Sequence, residues 1–159
     1  MKKLLFITLL SVSELAFAFT PSQDQALVDG RWDLLSSNSN AALYGDRHTH
    51  SNSSAWFLVE EYKSVNGKVV RRNGKPVVEK SILQAITVNC QQQTIRINSS
   101  KTYQGPFILR LERGGRNPKL ISSSDFANKN VGGDFLPTPN TFGEAIYNYV
   151  CHEKTYFSQ

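Results

Sequence analysis

The chain has 159 residues, 40% of them hydrophobic and 19% charged, with a formal net charge of +5. This length suits one domain with a substantial core. No apolar run beyond the N-terminus is long enough for a spanning helix, which excludes a helical membrane protein. The mildly basic balance favours an acidic partner or surface without identifying one.

Residues 1 to 18 have the pattern of a secretory signal peptide, with Lys2 and Lys3 before a short apolar run and Ala16-Phe17-Ala18 at its end. No cysteine lies near this cleavage pattern, so a lipoprotein is not expected. We therefore predict an exported protein, in the periplasm, at the cell surface or secreted. Its single mature domain would cover residues 19 to 159.

Three strands are predicted in the first part of this domain. Residues 31 to 36 form a first strand with Trp32 as a core residue, and residues 42 to 44 form a second. Residues 47 to 54 are polar without an apolar period, which indicates a loop. Residues 55 to 63 form a third strand, and its continuous apolar opening indicates that both of its faces are covered.

Residues 63 to 80, named here the basic segment, carry two strong turn signals, Asn66-Gly67 and Asn73-Gly74. We interpret the segment as a hairpin surface that contacts an acidic ligand. The alternative is a hydrated hairpin whose charges protect a sheet edge from pairing. No aromatic residue lies between residues 64 and 80, which argues against nucleic acid as the partner. The positive residues of the segment are Lys63, Lys68, Arg71, Arg72, Lys75 and Lys80.

Further strands are predicted after the basic segment. Residues 80 to 90 are apolar and rich in β-branched side chains, and residues 93 to 97 alternate between polar and apolar. Another apolar run covers residues 106 to 112, and residues 113 to 140 form a long connection. One face of the strand at residues 80 to 90 carries Ile82, Ile86, Val88 and Cys90.

Residues 141 to 151 are predicted to form a C-terminal helix. Thr141 and Glu144 have the spacing of a capping box, and apolar residues follow at helical spacing. Strands followed by one helix favour an α+β fold, an antiparallel sheet of about six strands with the helix packed on one face. The apolar stripe of the helix consists of Phe142, Ala145, Ile146, Tyr149 and Val150.

Cys90 and Cys151 are the two cysteines of the chain, and each ends a predicted element. Export favours their oxidation, so we predict one disulfide that ties the helix to the sheet. Closing a loop of about 60 residues contributes up to roughly 4 kcal/mol to the free energy of unfolding in the chain-entropy model.

Asp46, His48 and His50 form a candidate metal site, because an extended segment would turn one carboxylate and two imidazoles to the same side. Their Ser- and Asn-rich flanks indicate a solvated loop instead, so we expect no metal and no cofactor. The sequence contains no nucleophile elbow, dinucleotide fingerprint or phosphate-binding loop. We therefore expect a protein that is not an enzyme, and we assign no catalytic residue.

The sequence resembles the surface-adhesin protein E-like family of Gram-negative bacteria. The residues that carry the resemblance are Ser81-x-x-Gln84 before Asn89-Cys90, and Thr138-Pro139-Asn140-Thr141 before Ala145 and Val150-Cys151, with Trp32, Tyr44-x-Asp46, Trp56 and Glu61-Tyr62 in support. The resemblance implies a six-stranded antiparallel sheet with a disulfide-linked C-terminal helix, often as a homodimer.

The same resemblance implies adhesion and virulence through binding of host matrix and serum proteins such as laminin, vitronectin and plasminogen. Unlike the adhesin that names the family, this chain lacks a lipidation cysteine. The alternative function is therefore a periplasmic binding or inhibitor-type module with a bacterial partner.

Overall fold

The structure is a computed structural model, and it describes residues 31 to 107, 118 to 126 and 134 to 152. The predicted signal peptide lies outside these residues. The main sheet contains β1 (Trp32–Ser37), β2 (Ala41–Asp46), β3 (Ser54–Tyr62), β8 (Val78–Asn89), β9 (Thr94–Gln104) and β10 (Leu120–Asp125). The remaining elements are β4 (Ser64–Val65), β5 (Lys68–Val69), β6 (Arg71–Arg72), β7 (Lys75–Pro76) and the helix α1 (Phe142–Cys151).

The main sheet is antiparallel throughout, in the order β1-β2-β3-β8-β9-β10. The strands of the main sheet are therefore arranged in chain order, which is the commonest arrangement for consecutive strands. The helix α1 packs across one face of this sheet. The predicted α+β fold, with about six antiparallel strands and a C-terminal helix, is confirmed.

The helix begins where its sequence predicts. Thr141 is the N-cap residue, and its hydroxyl accepts a hydrogen bond of 3.4 Å from the backbone N–H of Glu144. The Glu144 carboxylate accepts in turn from the backbone N–H of Asn140, at 2.8 Å, so the reciprocal half of the capping box is shifted by one residue. Two backbone donors at the start of the helix are thereby satisfied.

The two faces of the sheet carry separate cores. Phe57 and Leu58 are adjacent in β3 and fully buried, but they belong to different cores because strand side chains alternate. This explains the continuous apolar opening of β3. The core under α1 contains Leu43, Ala55, Phe57, Ile86, Val88, Ile95, Ile146, Tyr149 and Val150, and the opposite core contains Trp32, Leu58 and Phe107.

Tyr149 packs the helix tightly against the sheet. Its side chain is fully buried, and its ring packs edge-on against Phe57. Gly45 of β2 lies under this ring, and a Cβ atom at residue 45 would be 2.6 Å from Tyr149 Cε1. The close approach of the ring therefore requires glycine at this position.

The end of the helix is covalently joined to the sheet. The predicted disulfide between Cys90 and Cys151 is confirmed, with a Cα–Cα distance of 5.7 Å. The Tyr147 hydroxyl donates a hydrogen bond of 3.1 Å to the carbonyl oxygen of Cys90. The turn after β8 is thus fixed to α1 by both a covalent bond and a hydrogen bond.

The basic segment forms two small hairpins rather than one. β4 pairs with β5 around Asn66-Gly67, and β6 pairs with β7 around Asn73-Gly74. All four turn residues have positive φ, from 51° to 80°, as type I′ turns require. Backbone hydrogen bonds of 2.7 to 2.9 Å run from Lys63 to Val77, from Val77 to Val70 and from Val70 to Lys63. The two hairpins therefore share one base.

The second half of the sheet differs from the prediction in two places. β9 continues beyond the predicted end at Ile97 to Gln104, through polar residues that pair with β8. β10 lies inside the segment that was predicted to be a connection. The prediction missed this strand because all six of its residues are exposed and provide no apolar pattern. The predicted strand at residues 106 to 112 lies mostly outside the described residues, although Phe107 packs edge-on against Trp32.

Candidate functional site

Four cations of the basic segment extend into solvent. Lys63, Lys68, Arg71 and Arg72 are exposed, and in the described part of the chain none of them forms an ion pair. The Arg71 guanidinium donates a hydrogen bond of 3.0 Å to the carbonyl oxygen of Gly74 in its own hairpin. Exposed cations without carboxylate partners produce a positive surface potential.

Lys80 is separated from these four residues by its pairing. It lies in β8 opposite Glu61 of β3, and its Nζ atom is 3.0 Å from Glu61 Oε2. This pair is largely exposed, so its contribution to stability is about 0 to 1 kcal/mol. The structure therefore does not place the Lys80 charge with the unpaired cations of the candidate site.

Lys75, in β7, is partly buried and its Nζ atom is shielded from solvent. Within the ranges that the structure describes, this is the one buried side-chain nitrogen or oxygen without a hydrogen-bond partner. A shielded donor without an acceptor costs free energy, and a partner that supplies an acceptor would remove that cost. The adjacent apolar residues Pro76 and Val77 were the sequence signal that could have indicated this burial.

The segment from Asp46 to His50 is a turn, but the predicted solvated loop is wrong for both of its ends. Asp46 is 1% exposed, and its carboxylate accepts from Arg31 Nε at 3.1 Å, Arg31 Nη2 at 2.8 Å and the His48 backbone N–H at 3.0 Å. His50 Nε2 lies 3.1 Å from the carbonyl oxygen of Tyr149. Asp46 tolerates burial because Arg31 neutralises it and fills its acceptor sites.

These contacts engage the side chains of Asp46 and His50 and the backbone N–H of His48 in the fold. Among the residues described, no group of three or more His, Cys, Asp or Glu side chains could hold a metal ion. The expectation of no tight metal site stays a prediction.

A second polar network surrounds Asp33 and was not predicted. Arg47 Nε donates to both carboxylate oxygens of Asp33 at 2.8 Å, and Arg47 Nη2 also pairs with this carboxylate. The Tyr149 hydroxyl donates to Asp33 Oδ2 at 3.2 Å. Burial and the negative charge of Asp33 raise the pKa of Tyr149 well above its usual value. Asp33 and Tyr149 are 116 positions apart, so local patterns do not reveal their contact.

Comparisons with protein-family models, curated proteins and solved structures found no match to this chain. The resemblance to the adhesin family stays a prediction. In the described ranges, no helix has both the length and the apolar character that crossing a membrane requires. The surface chemistry of the basic segment is therefore the basis for assigning a function.

Proposed function

We propose that this protein is an exported, non-enzymatic binding protein that contacts an acidic protein surface through the basic segment. The observation that carries the proposal is a set of four exposed cations that form no ion pair with any described residue: Lys63, Lys68, Arg71 and Arg72. Two type I′ turns on a shared base hold the hairpins that carry them. The backbone positions that carry these charges are therefore fixed, which reduces the ordering cost of binding.

The position of the basic segment argues against protection of an edge of the main sheet. The segment connects β3 and β8, which are interior strands of the main sheet, whereas β1 and β10 form its edges. Charges that protect the main sheet from pairing are needed on β1 or β10. The basic segment therefore has no edge of the main sheet to protect.

Lys75 supports an acidic partner in particular. Among the described residues its shielded Nζ atom has no acceptor, and a carboxylate on the partner would supply one once the Lys75 side chain rotates into the interface. The exposed cations around it attract the same partner over a distance of about 8 to 10 Å at physiological ionic strength. Long-range attraction and one short-range contact then favour the same class of ligand.

Two further features bear on the location and the partners of the protein. The disulfide and the signal-peptide pattern support export to an oxidising compartment. The family resemblance supports host matrix proteins as partners, laminin and vitronectin among them. Cell fractionation and protease accessibility on intact cells distinguish a surface adhesin from a periplasmic module.

The test is the double charge reversal Arg71→Glu with Arg72→Glu. Binding to immobilised laminin and vitronectin, and to poly-glutamate as a probe of charge alone, is measured by surface plasmon resonance at low and high salt. We expect at least a tenfold loss of affinity at low salt, because a cluster of charges governs encounter with an acidic surface. The loss should shrink as salt rises.

The matched control is Lys101→Glu with Lys119→Glu, which changes the net charge equally but lies in and beside other strands. We expect the control to retain binding, and circular dichroism should show both variants folded. Equal losses in both variants would indicate an effect of net charge alone. Unchanged binding after Arg71 and Arg72 are reversed would place the contact surface elsewhere.

A further inference from the structure

A polar cavity of about 370 Å³ lies on the sheet face opposite α1, at the end of the hairpin formed by β8 and β9. This volume is within the range of small-molecule sites, roughly 300 to 1,000 Å³. The cavity is lined by Thr87, Asn89, Gln92, Thr94, Arg96, Asn98 and Asp134.

Hydrogen bonds between lining side chains hold the β8–β9 part of the cavity in place. Asn98 Nδ2 donates to Thr87 Oγ1 at 2.7 Å across the two strands. Asn89 Nδ2 donates to Gln92 Oε1 at 3.0 Å, and Asn89 Oδ1 accepts from the backbone N–H of Gln92 at 3.0 Å. These bonds fix the amide planes before a ligand arrives.

Asp134 reaches the cavity through a backbone bridge. Phe135 and Ile95 exchange two backbone hydrogen bonds of 2.9 and 3.0 Å, which places Asp134 beside Arg96 of β9. Arg96 Nε then donates to Asp134 Oδ1 at 2.6 Å, and this bond raises the pKa of Arg96. The side of the cavity formed by this pair therefore carries no net charge.

The turn under the cavity is rigid because it contains Cys90. Asn89 and Gln92 flank this cysteine, which is bonded to Cys151 of α1 on the other side of the sheet. The Tyr147 hydroxyl also holds the carbonyl oxygen of Cys90. A site built on a fixed turn loses little conformational entropy on binding.

The same bonds leave other polar atoms uncommitted. Gln92 Nε2 and the Arg96 Nη groups are donors without a protein acceptor, and Asn98 Oδ1 and Asp134 Oδ2 are acceptors without a protein donor, within the ranges that the structure describes. The Thr94 hydroxyl can donate and accept. The cavity thus offers both free donors and free acceptors, and its one cation and one anion cancel.

We propose that this cavity binds a neutral saccharide. Each sugar hydroxyl both donates and accepts, so adjacent hydroxyls match a guanidinium and a carboxylate that stand side by side, as Arg96 and Asp134 do. An anionic ligand would meet the Asp134 carboxylate, and a peptide would find no apolar side chain in the lining. Saccharide hydroxyls therefore suit the cavity better than either alternative.

The experiment is an NMR titration of the isotope-labelled full chain with glucose, galactose, N-acetylglucosamine and their short neutral oligomers. We expect shifts at the side-chain amides of Gln92 and Asn98 and not in the basic segment. Asn98→Ala and Asp134→Ala should each lower the affinity about tenfold through the loss of a hydrogen bond. Gln91→Ala is the matched control, since Gln91 lies exposed in the same turn and does not line the cavity.

Absence of shifts at the lining residues with every saccharide at millimolar concentration would overturn the proposal. An equal loss of affinity in Gln91→Ala would overturn it as well. Asp134 is exposed, so its substitution tests the site even if Asn98→Ala fails to fold. The basic-segment double variant should bind the saccharide normally, which separates this site from the proposed protein-binding surface.

Discussion

Charged groups on the helix-covered side of the sheet and charged groups in the basic segment differ in whether they are paired. Near Tyr149, Asp33 pairs with Arg47 and accepts a hydrogen bond from the Tyr149 hydroxyl. In the basic segment the exposed cations have no carboxylate partner among the described residues, and Lys75 lacks an acceptor. Paired groups under α1 stabilise the fold, whereas unpaired groups on the hairpins remain available to a ligand. Substitutions in the two regions should therefore have different effects.

The largest expected effect is loss of the disulfide. Replacing both Cys90 and Cys151 by Ala should lower the free energy of unfolding by about 2 to 5 kcal/mol, because the unfolded chain regains the freedom of the long loop. Urea unfolding measures this change. Because the disulfide follows the end of β8 and the basic segment lies at its start, binding of laminin or poly-glutamate by that segment should persist while the variant is folded. Stability equal to that of the parent protein would show that the bond contributes nothing to the fold.

Two glycines provide the next contrast. Gly45→Ala places a Cβ atom 2.6 Å from the Tyr149 ring and should cost about 1 to 3 kcal/mol through overpacking. Gly67→Ala meets no atom within 4 Å and is strained through its positive φ of 73°, which costs about 1 kcal/mol within one hairpin. Near-ultraviolet circular dichroism and urea unfolding should show a larger change for Gly45→Ala. The reverse order would contradict the difference between the two regions.

The smallest expected effect is that of Tyr149→Phe, about 1 kcal/mol through loss of the hydrogen bond to Asp33. The pKa of Tyr149 is raised in the folded state, so the folded protein binds the phenolic proton more tightly than the unfolded chain. The stability that the protonated Tyr149 hydroxyl contributes is present below about pH 10 and is lost as pH rises above that value. The free energy of unfolding, measured between neutral and strongly alkaline pH, should therefore fall less steeply in the variant than in the parent protein. Identical slopes would refute the coupling.

Much of the fold could be predicted because β-branched runs and alternation determine strands that bury side chains. β10 could not be predicted, because its six residues are exposed and provide no apolar signal. This strand is held by backbone pairing with β9 instead. The turns of the basic segment were predictable from their Asn-Gly pairs. The pairing of Lys80 with Glu61 was not, because it depends on the register between β3 and β8.

The polar cavity had a partial signal in the sequence. Thr94, Arg96 and Asn98 are polar at every second position, which places them on one face of β9. Asp134 joins Arg96 from 38 positions away, through a bridge that no local pattern encodes. The alternation of polar residues along β9 was therefore detectable from the sequence, whereas the contact between Arg96 and Asp134 was not.

Because the two hairpins share one base, the length of the basic segment can change without altering the main sheet. Tyr62 pairs with Val78 just outside that base, so the segment leaves and re-enters the sheet at neighbouring positions. Lys63, Val70 and Val77 are joined by hydrogen bonds at intervals of seven residues, one hairpin for each interval. Removing or adding one seven-residue unit would leave the strand register unchanged. Evolution or protein engineering can therefore alter the reach and charge of this surface in whole hairpins, as insertions between two fixed ends.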